Sequence, residues 1–183
     1  SDMLRLWTID SGGEKKESGT DRDLIPLATP LMASGYTPSG MEFLTDKMKD
    51  FNMVPYSAAS AGVDEMPRPL EAGGAVSATL VTGDLKLGAV GTVTYVDKDH
   101  MVAFGHPFLD KGSSAYFMHN SYIFTVVPSR NIPFKLGSVG AEIGMVNEDR
   151  GSGISGLSGK VPESVRLHSS VLDEDTGRTQ SLN

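Results

Sequence analysis

Cysteine is absent from the 183 residues. Without a thiol there is no disulfide, no thiolate nucleophile, no iron–sulfur cluster and no cysteine-based zinc site. Positive charge is also scarce. Sixteen Lys and Arg stand against 23 Asp and Glu, for a net charge of −7 and a sequence pI near 5.0. That balance speaks against broad nucleic-acid binding by phosphate neutralisation, and against attraction to anionic lipid. No apolar run approaches the roughly 18 residues of a spanning helix, so membrane insertion is not expected. No repeat of about 20–50 residues is visible. Nor does a charged-then-apolar leader open the sequence. Ser1-Asp2-Met3-Leu4-Arg5-Leu6-Trp7 places Met third and turns apolar at once, which is expected of a fragment of a longer protein.

What is present fits a folded domain with a short appendage. Hydrophobic residues make up 39% and charged residues 21% of the 19.5 kDa chain, which separates it from disordered sequences. The 21 glycines and 10 prolines predict many turns between short strands.

Residues 1–74 are expected to form an N-terminal extension. Asp10 to Asp23 is a polar tract and reads as a solvated loop. Leu24 to Gly35 carries Pro26 and Pro30, which forbid a regular helix and predict extended chain packed on the body. Ser39 and Glu42 form a capping box, with Met41, Leu44, Met48 and Phe51 following at helical spacing. This predicts one helix over about 39–51, packed outside the main domain. Residues 53–74, with Pro55, Pro67 and Pro69, show no consistent period and read as a long connector.

From Ala75 to the end the pattern is that of strands. The segments 75–82, 85–90, 91–96, 101–105, 116–127, 132–136, 143–146 and 165–172 are apolar runs separated by turn residues. Asp173 to Gly177 reads as a turn, with Arg178–Leu182 as a returning hairpin arm. A β-barrel or sandwich over 75–183 follows.

Four histidines are candidates for chemistry. His100 falls in a polar turn, and His119 and His168 in strands; all three read as partly exposed polar residues. His106 ends an apolar strand between Gly105 and Pro107. Glycine permits a close bend there and proline fixes the chain direction. A general base needs such aiming, within about 3 Å of its proton. The stretch Gly137 to Gly159 holds neither phosphate-loop pattern, and Gly151 to Gly159 reads as tight turns. Ser158, in Gly156-Leu157-Ser158-Gly159, would match a nucleophile elbow only with glycine in place of Lys160. Asp149-Arg150 is either an ion pair pinning a turn or the source of an acid that orients His106.

Gly91-Thr92-Val93-Thr94-Tyr95-Val96-Asp97, followed by Ala103-Phe104-Gly105-His106, resembles the SpoIVB-type serine peptidases. Ile143-Gly144, Asp149-Arg150 and Gly153-Ile154-Ser155-Gly156 are similar to that family's second glycine block. The resemblance covers about residues 75–160. It implies that His106 is a catalytic base, and that the fold is an antiparallel β-barrel of trypsin-like type. The family's nucleophile lies in a Gly-x-Ser-Gly-Ser-Pro segment, which this sequence lacks. In the longer relatives that segment stands upstream, ending shortly before a stretch similar to 2–7.

The resulting expectation is a mainly β domain. It is the histidine-bearing part of a serine endopeptidase, inactive alone, with no cofactor and no metal. Its partners would be a peptide or protein substrate and the missing serine-bearing segment, with no nucleic acid. Its location would be extracytoplasmic, in the periplasm or at the cell surface. The alternative is a non-catalytic β-module that binds a peptide or protein, for instance by strand addition.

Overall fold

A computed structural model of the chain describes residues 29–51, 53–58, 67–127 and 134–183. The polar tract 10–23 and the opening segment therefore lie outside the described residues. Ten strands and one helix make up the rest: β1 (Thr29–Ser34), α1 (Pro38–Met48), β2 (Met53–Ser57), β3 (Ala75–Val81), β4 (Lys86–Asp97), β5 (His100–Ala103), β6 (Gly112–Val127), β7 (Phe134–Arg150), β8 (Gly153–Ser158), β9 (Ser169–Asp173) and β10 (Arg178–Leu182).

Six strands close on themselves. The order β4-β3-β6-β7-β8-β5 returns to β4 through the β4–β5 pairing, and every neighbour in the ring is antiparallel. The expected mainly β, antiparallel barrel with one short helix outside it is borne out. Strand β4 carries the closure. One of its edges pairs with β3 over 75–81. The other takes β1 at 86–88 and then β5 at 93–97. β2 adds to β1 in parallel, so two strands extend the barrel wall as a flap. Residues 53–57 are thus a strand rather than the start of a connector. Pro55 obscured it, and β2 tolerates this proline because it lies at the edge of the sheet.

The barrel is narrow, and its filling explains the glycines. Val76, Ala78, Val93, Met101, Ala103, Met118, Val146 and Ile154 are all within 1% of full burial. Room for the two methionines comes from facing glycines. A Cβ at Gly144 would stand 2.2 Å from the Leu157 carbonyl oxygen and 2.7 Å from Met118 Cε, and one at Gly156 would stand 2.9 Å from Met101 Cε. Gly153 to Ser158 is accordingly strand β8, not the tight turns its composition suggests. Glycine serves close approach inside a strand here.

The helix begins two residues earlier than the capping box predicts. Thr37 is the N-cap, its hydroxyl accepting from the Gly40 N–H at 3.2 Å, and Pro38 takes the first turn. Proline suits that position because its missing N–H has no helical partner there. Met41, Leu44 and Met48 pack on the core from half-buried positions, while Phe51 ends in a 3₁₀ turn and is half exposed. β6 and β7 are 16 and 17 residues long. Four register shifts bend the pair. Their outer half leans back over the sheet, where Tyr56 donates to the Lys135 carbonyl at 3.1 Å and Lys135 Nζ bonds Thr92 Oγ1. The expected hairpin near the end is β9–β10. Asp173 closes its turn by accepting from the N–H groups of Asp175 and Thr176.

The close approach of β7 and β8 is testable. Gly144→Ala should cost about 1–3 kcal/mol through overpacking against backbone that cannot yield. The loss should appear as a lower urea midpoint at unchanged slope. An unchanged midpoint would mean that the strands stand further apart.

Candidate functional site

His106 lies on the loop 104–111 that joins β5 to β6 at one mouth of the barrel. The loop enters with Phe104 at φ 76° and Gly105 at φ 73°. Left-handed backbone is unusual for a bulky residue and persists only when its surroundings over-determine it. Here the surroundings are Gly91 and Thr92. The Phe104 N–H bonds the Thr92 carbonyl at 2.9 Å. The Phe104 ring covers Gly91 so closely that a Cβ there would stand 2.1 Å from it. The aromatic chain then runs from Phe104 to Phe108, 6.5 Å between centroids, and on to Tyr116 at 5.8 Å and 84°. Edge-to-face contact of this kind favours one arrangement of the rings.

Asp149 pins the far side of the loop. It closes β7, is wholly buried, and its two oxygens accept from the N–H groups of Phe108 at 2.7 Å and Leu109 at 2.6 Å. The Tyr116 hydroxyl donates to the same carboxylate at 3.3 Å. Burial, and to a lesser degree Asp149, raise the pKa of Tyr116. Arg150, its neighbour in sequence, turns out instead to Glu148 at 2.7 Å. Asp149 and Arg150 therefore do not form an ion pair with each other.

His106 is partly exposed, with its ring 5.7 Å from that of Phe104. Its Nδ1 lies 2.9 Å from the Pro107 carbonyl oxygen. A carbonyl only accepts, so Nδ1 is the donor, and the neutral ring carries its lone pair on Nε2. Asp149 and His106 belong to the same loop system, but no hydrogen bond joins them; the carboxylate positions the loop backbone on which the imidazole stands. Among the described residues, no group of three or more His, Asp or Glu could hold a metal ion.

The remaining candidates fall elsewhere. Ser158 ends β8 beside the turn before β5, its N–H bonded to the Asp99 carbonyl at 2.8 Å. On the β5–β8 ladder it lies beyond the His100–Leu157 pair, whereas the chain leaves for His106 from the Ala103–Ile154 pair. The two are therefore at opposite ends. His100 and His168 are exposed and bonded to Asp99 and Asn183. His119 corrects its expectation. It is 2% exposed, held between the hydroxyls of Thr79 on Nδ1 and Thr82 on Nε2, each at 3.2 Å. Burial, and then the nearby Lys86 charge, depress its pKa to about 4. Sequence reading did not find Tyr116, Phe104 or the Pro107 carbonyl as parts of the site. Their signal is the pairing of Phe104 with Gly91, visible only once β4 and β5 are side by side. No family model, no curated protein and no solved structure matches the chain.

Asp149→Asn should destabilise the fold by about 1–3 kcal/mol, because an amide nitrogen would face a backbone donor. Amide exchange at Phe108 and Leu109 should accelerate with it; unchanged protection would show that the carboxylate does not hold the loop. His119 gives a pH signature. Its imidazole takes a proton near 6.5 when unfolded but near 4 when folded, so the unfolded chain protonates first as pH falls. The contribution is complete above about pH 6.5 and declines progressively to pH 4, by about 3 kcal/mol. Urea midpoints between pH 7 and pH 4 should fall less steeply for His119→Gln than for the parent chain. Parallel curves would contradict the depressed value.

Proposed function

We propose that this chain is the general-base part of a serine hydrolase, with His106 as the base. More particularly, we propose a serine endopeptidase of the SpoIVB type whose nucleophile comes from a segment outside this sequence. The observation that carries the proposal is the Nδ1–H bond to the Pro107 carbonyl. It selects the tautomer whose Nε2 can accept a proton, on a ring that is partly open at a barrel mouth. In the reaction Nε2 takes the proton of a serine hydroxyl while that oxygen attacks the peptide carbonyl carbon. The imidazolium then gives the proton to the departing amine as the C–N bond breaks. Water repeats the sequence to free the acyl group. The Pro107 carbonyl fills the orienting role that a carboxylate plays in a triad, and Asp149 acts one step back through the loop. No cofactor enters this chemistry. The substrate is a peptide or protein, the second partner is the serine-bearing segment, and the working place is outside the cytoplasm.

A second reading, a non-catalytic module that binds a protein, draws on the β9–β10 hairpin. Val171 and Leu172 there are 62% and 60% exposed, and a two-stranded hairpin is only marginally stable by itself.

Two measurements test these readings, the first both together and the second one against the other. A serine-directed fluorophosphonate probe should leave this chain unlabelled, and stoichiometric labelling at Ser158 would make the glycine stretch the active site instead. In the intact protein, His106→Ala should abolish peptide hydrolysis with the circular dichroism spectrum unchanged. Near-normal turnover by that variant would remove the enzyme reading and leave the binding module.

A further inference from the structure

The opposite mouth of the barrel holds a peptide-like arrangement that the His106 chemistry does not use. Residues 67–70 run there without regular secondary structure, and Pro67, Arg68 and Pro69 are exposed. Yet Arg68 is held at three points. Asn120 of β6, 6% exposed, accepts the Arg68 N–H on Oδ1 at 2.8 Å and donates from Nδ2 to the Arg68 carbonyl at 3.0 Å. The Arg68 guanidinium stands 5.0 Å from the centroid of the Tyr122 ring. A side-chain amide that bonds both groups of one residue reads main chain, as a neighbouring strand would. The ring over the guanidinium reads the side chain.

Three features make this strap look like one occupant of a site. The buried Asn120 amide needs a backbone partner, since leaving both its groups unmet would be costly. Between the strap and the barrel lies a groove of about 460 Å³, lined by Leu70, Glu142, Ile143, Gly144, Ser158 and Lys160, which the strap does not fill. Finally, a glycine stands between the strap and the anchor at its far end. Gly73 and Gly74 bond Val93 on both sides, while Gly73 sits at φ 86° with nothing within 4 Å of where a Cβ would be. That glycine can serve as a pivot; among the described residues beyond it, half-buried Leu70 packs on the core, and exposed Arg68 is held by two neutral hydrogen bonds and one cation–π contact.

We infer that this groove is a recognition site for an extended arginine peptide flanked by prolines, and that residues 67–70 occupy it until such a segment of a partner protein displaces them. Pro67 and Pro69 define the ligand class. Proline after arginine restricts it to extended or polyproline conformation, so such a peptide arrives already shaped for the Asn120 amide and the aromatic ring.

The probe is the blocked peptide acetyl-Pro-Arg-Pro-Leu-amide, titrated into this chain while the Asn120 side-chain amide is followed by NMR. The parent chain should show weak saturable shifts of that amide. Arg68→Gly, which weakens the strap and leaves Asn120 intact, should bind the peptide at least about fivefold more tightly. Two altered peptides keep the test independent of protein folding. One is methylated on the arginine amide nitrogen and cannot donate to Oδ1; the other has alanine for arginine. Each should bind about tenfold more weakly. No shift of the Asn120 amide in either protein, or equal binding of the methylated peptide, would overturn the inference. Because the site is independent of His106, neither result bears on the peptidase reading.

Discussion

The Asp149 carboxylate is the contact on which the His106 end of the molecule depends. It is buried with two backbone N–H groups and a tyrosine hydroxyl as its partners. A buried charge is tolerable only when its hydrogen-bonding capacity is met. Here the two N–H partners come from a loop with left-handed backbone. Four residues of that loop and its exit, Phe104, Gly105, Asp110 and Gly112, have positive φ. The strain and the carboxylate answer one another. Phe108 and Leu109 present their N–H groups inward, and the chain between them and Phe104 must then carry His106 outward at the rim.

The barrel supplies the rigid frame for this. Its interior is filled by two methionines lying against glycines of the facing strands, so the wall cannot be widened or narrowed by a single side chain. Gly91, on the same face of its strand as Ala89 and Val93, repeats the device where the Phe104 ring takes the place of a side chain. The two barrel mouths therefore differ in kind. One is closed by a strained, carboxylate-pinned loop. The other is crossed by a strap held through a neutral amide, with a glycine pivot and an unfilled groove beneath it. Rigidity suits the proposed base, and a strap beside a glycine pivot suits the proposed exchange with a ligand.

Much of this was legible in the residues. The alternation of apolar runs and turn residues from Ala75 onward predicts the barrel strands, and Gly105-His106-Pro107 singles out the rim histidine. The failures share one cause. Local sequence shows composition but not neighbours. Gly153 to Ser158 looks like turns because the methionines that need its glycines lie far away in sequence, at 101 and 118. Pro55 hides an edge strand. Ser39 and Glu42 satisfy a capping pattern, but Thr37 with Pro38 satisfies the real helix start. His119 reads as a partly exposed strand residue, since the threonines that enclose it lie about forty positions earlier. For Asp149 the sequence left two roles open, and the structure gives its carboxylate to backbone N–H groups of the loop.

The central claim is that this loop fixes one tautomer of His106. Nitrogen-15 NMR of the imidazole in its neutral form tests it directly. The account predicts a proton on Nδ1 and a bare Nε2, with that preference weakened in Asp149→Asn. A proton on Nε2 in the parent chain would contradict it, because the ring would then present a donor where the proposed chemistry needs an acceptor.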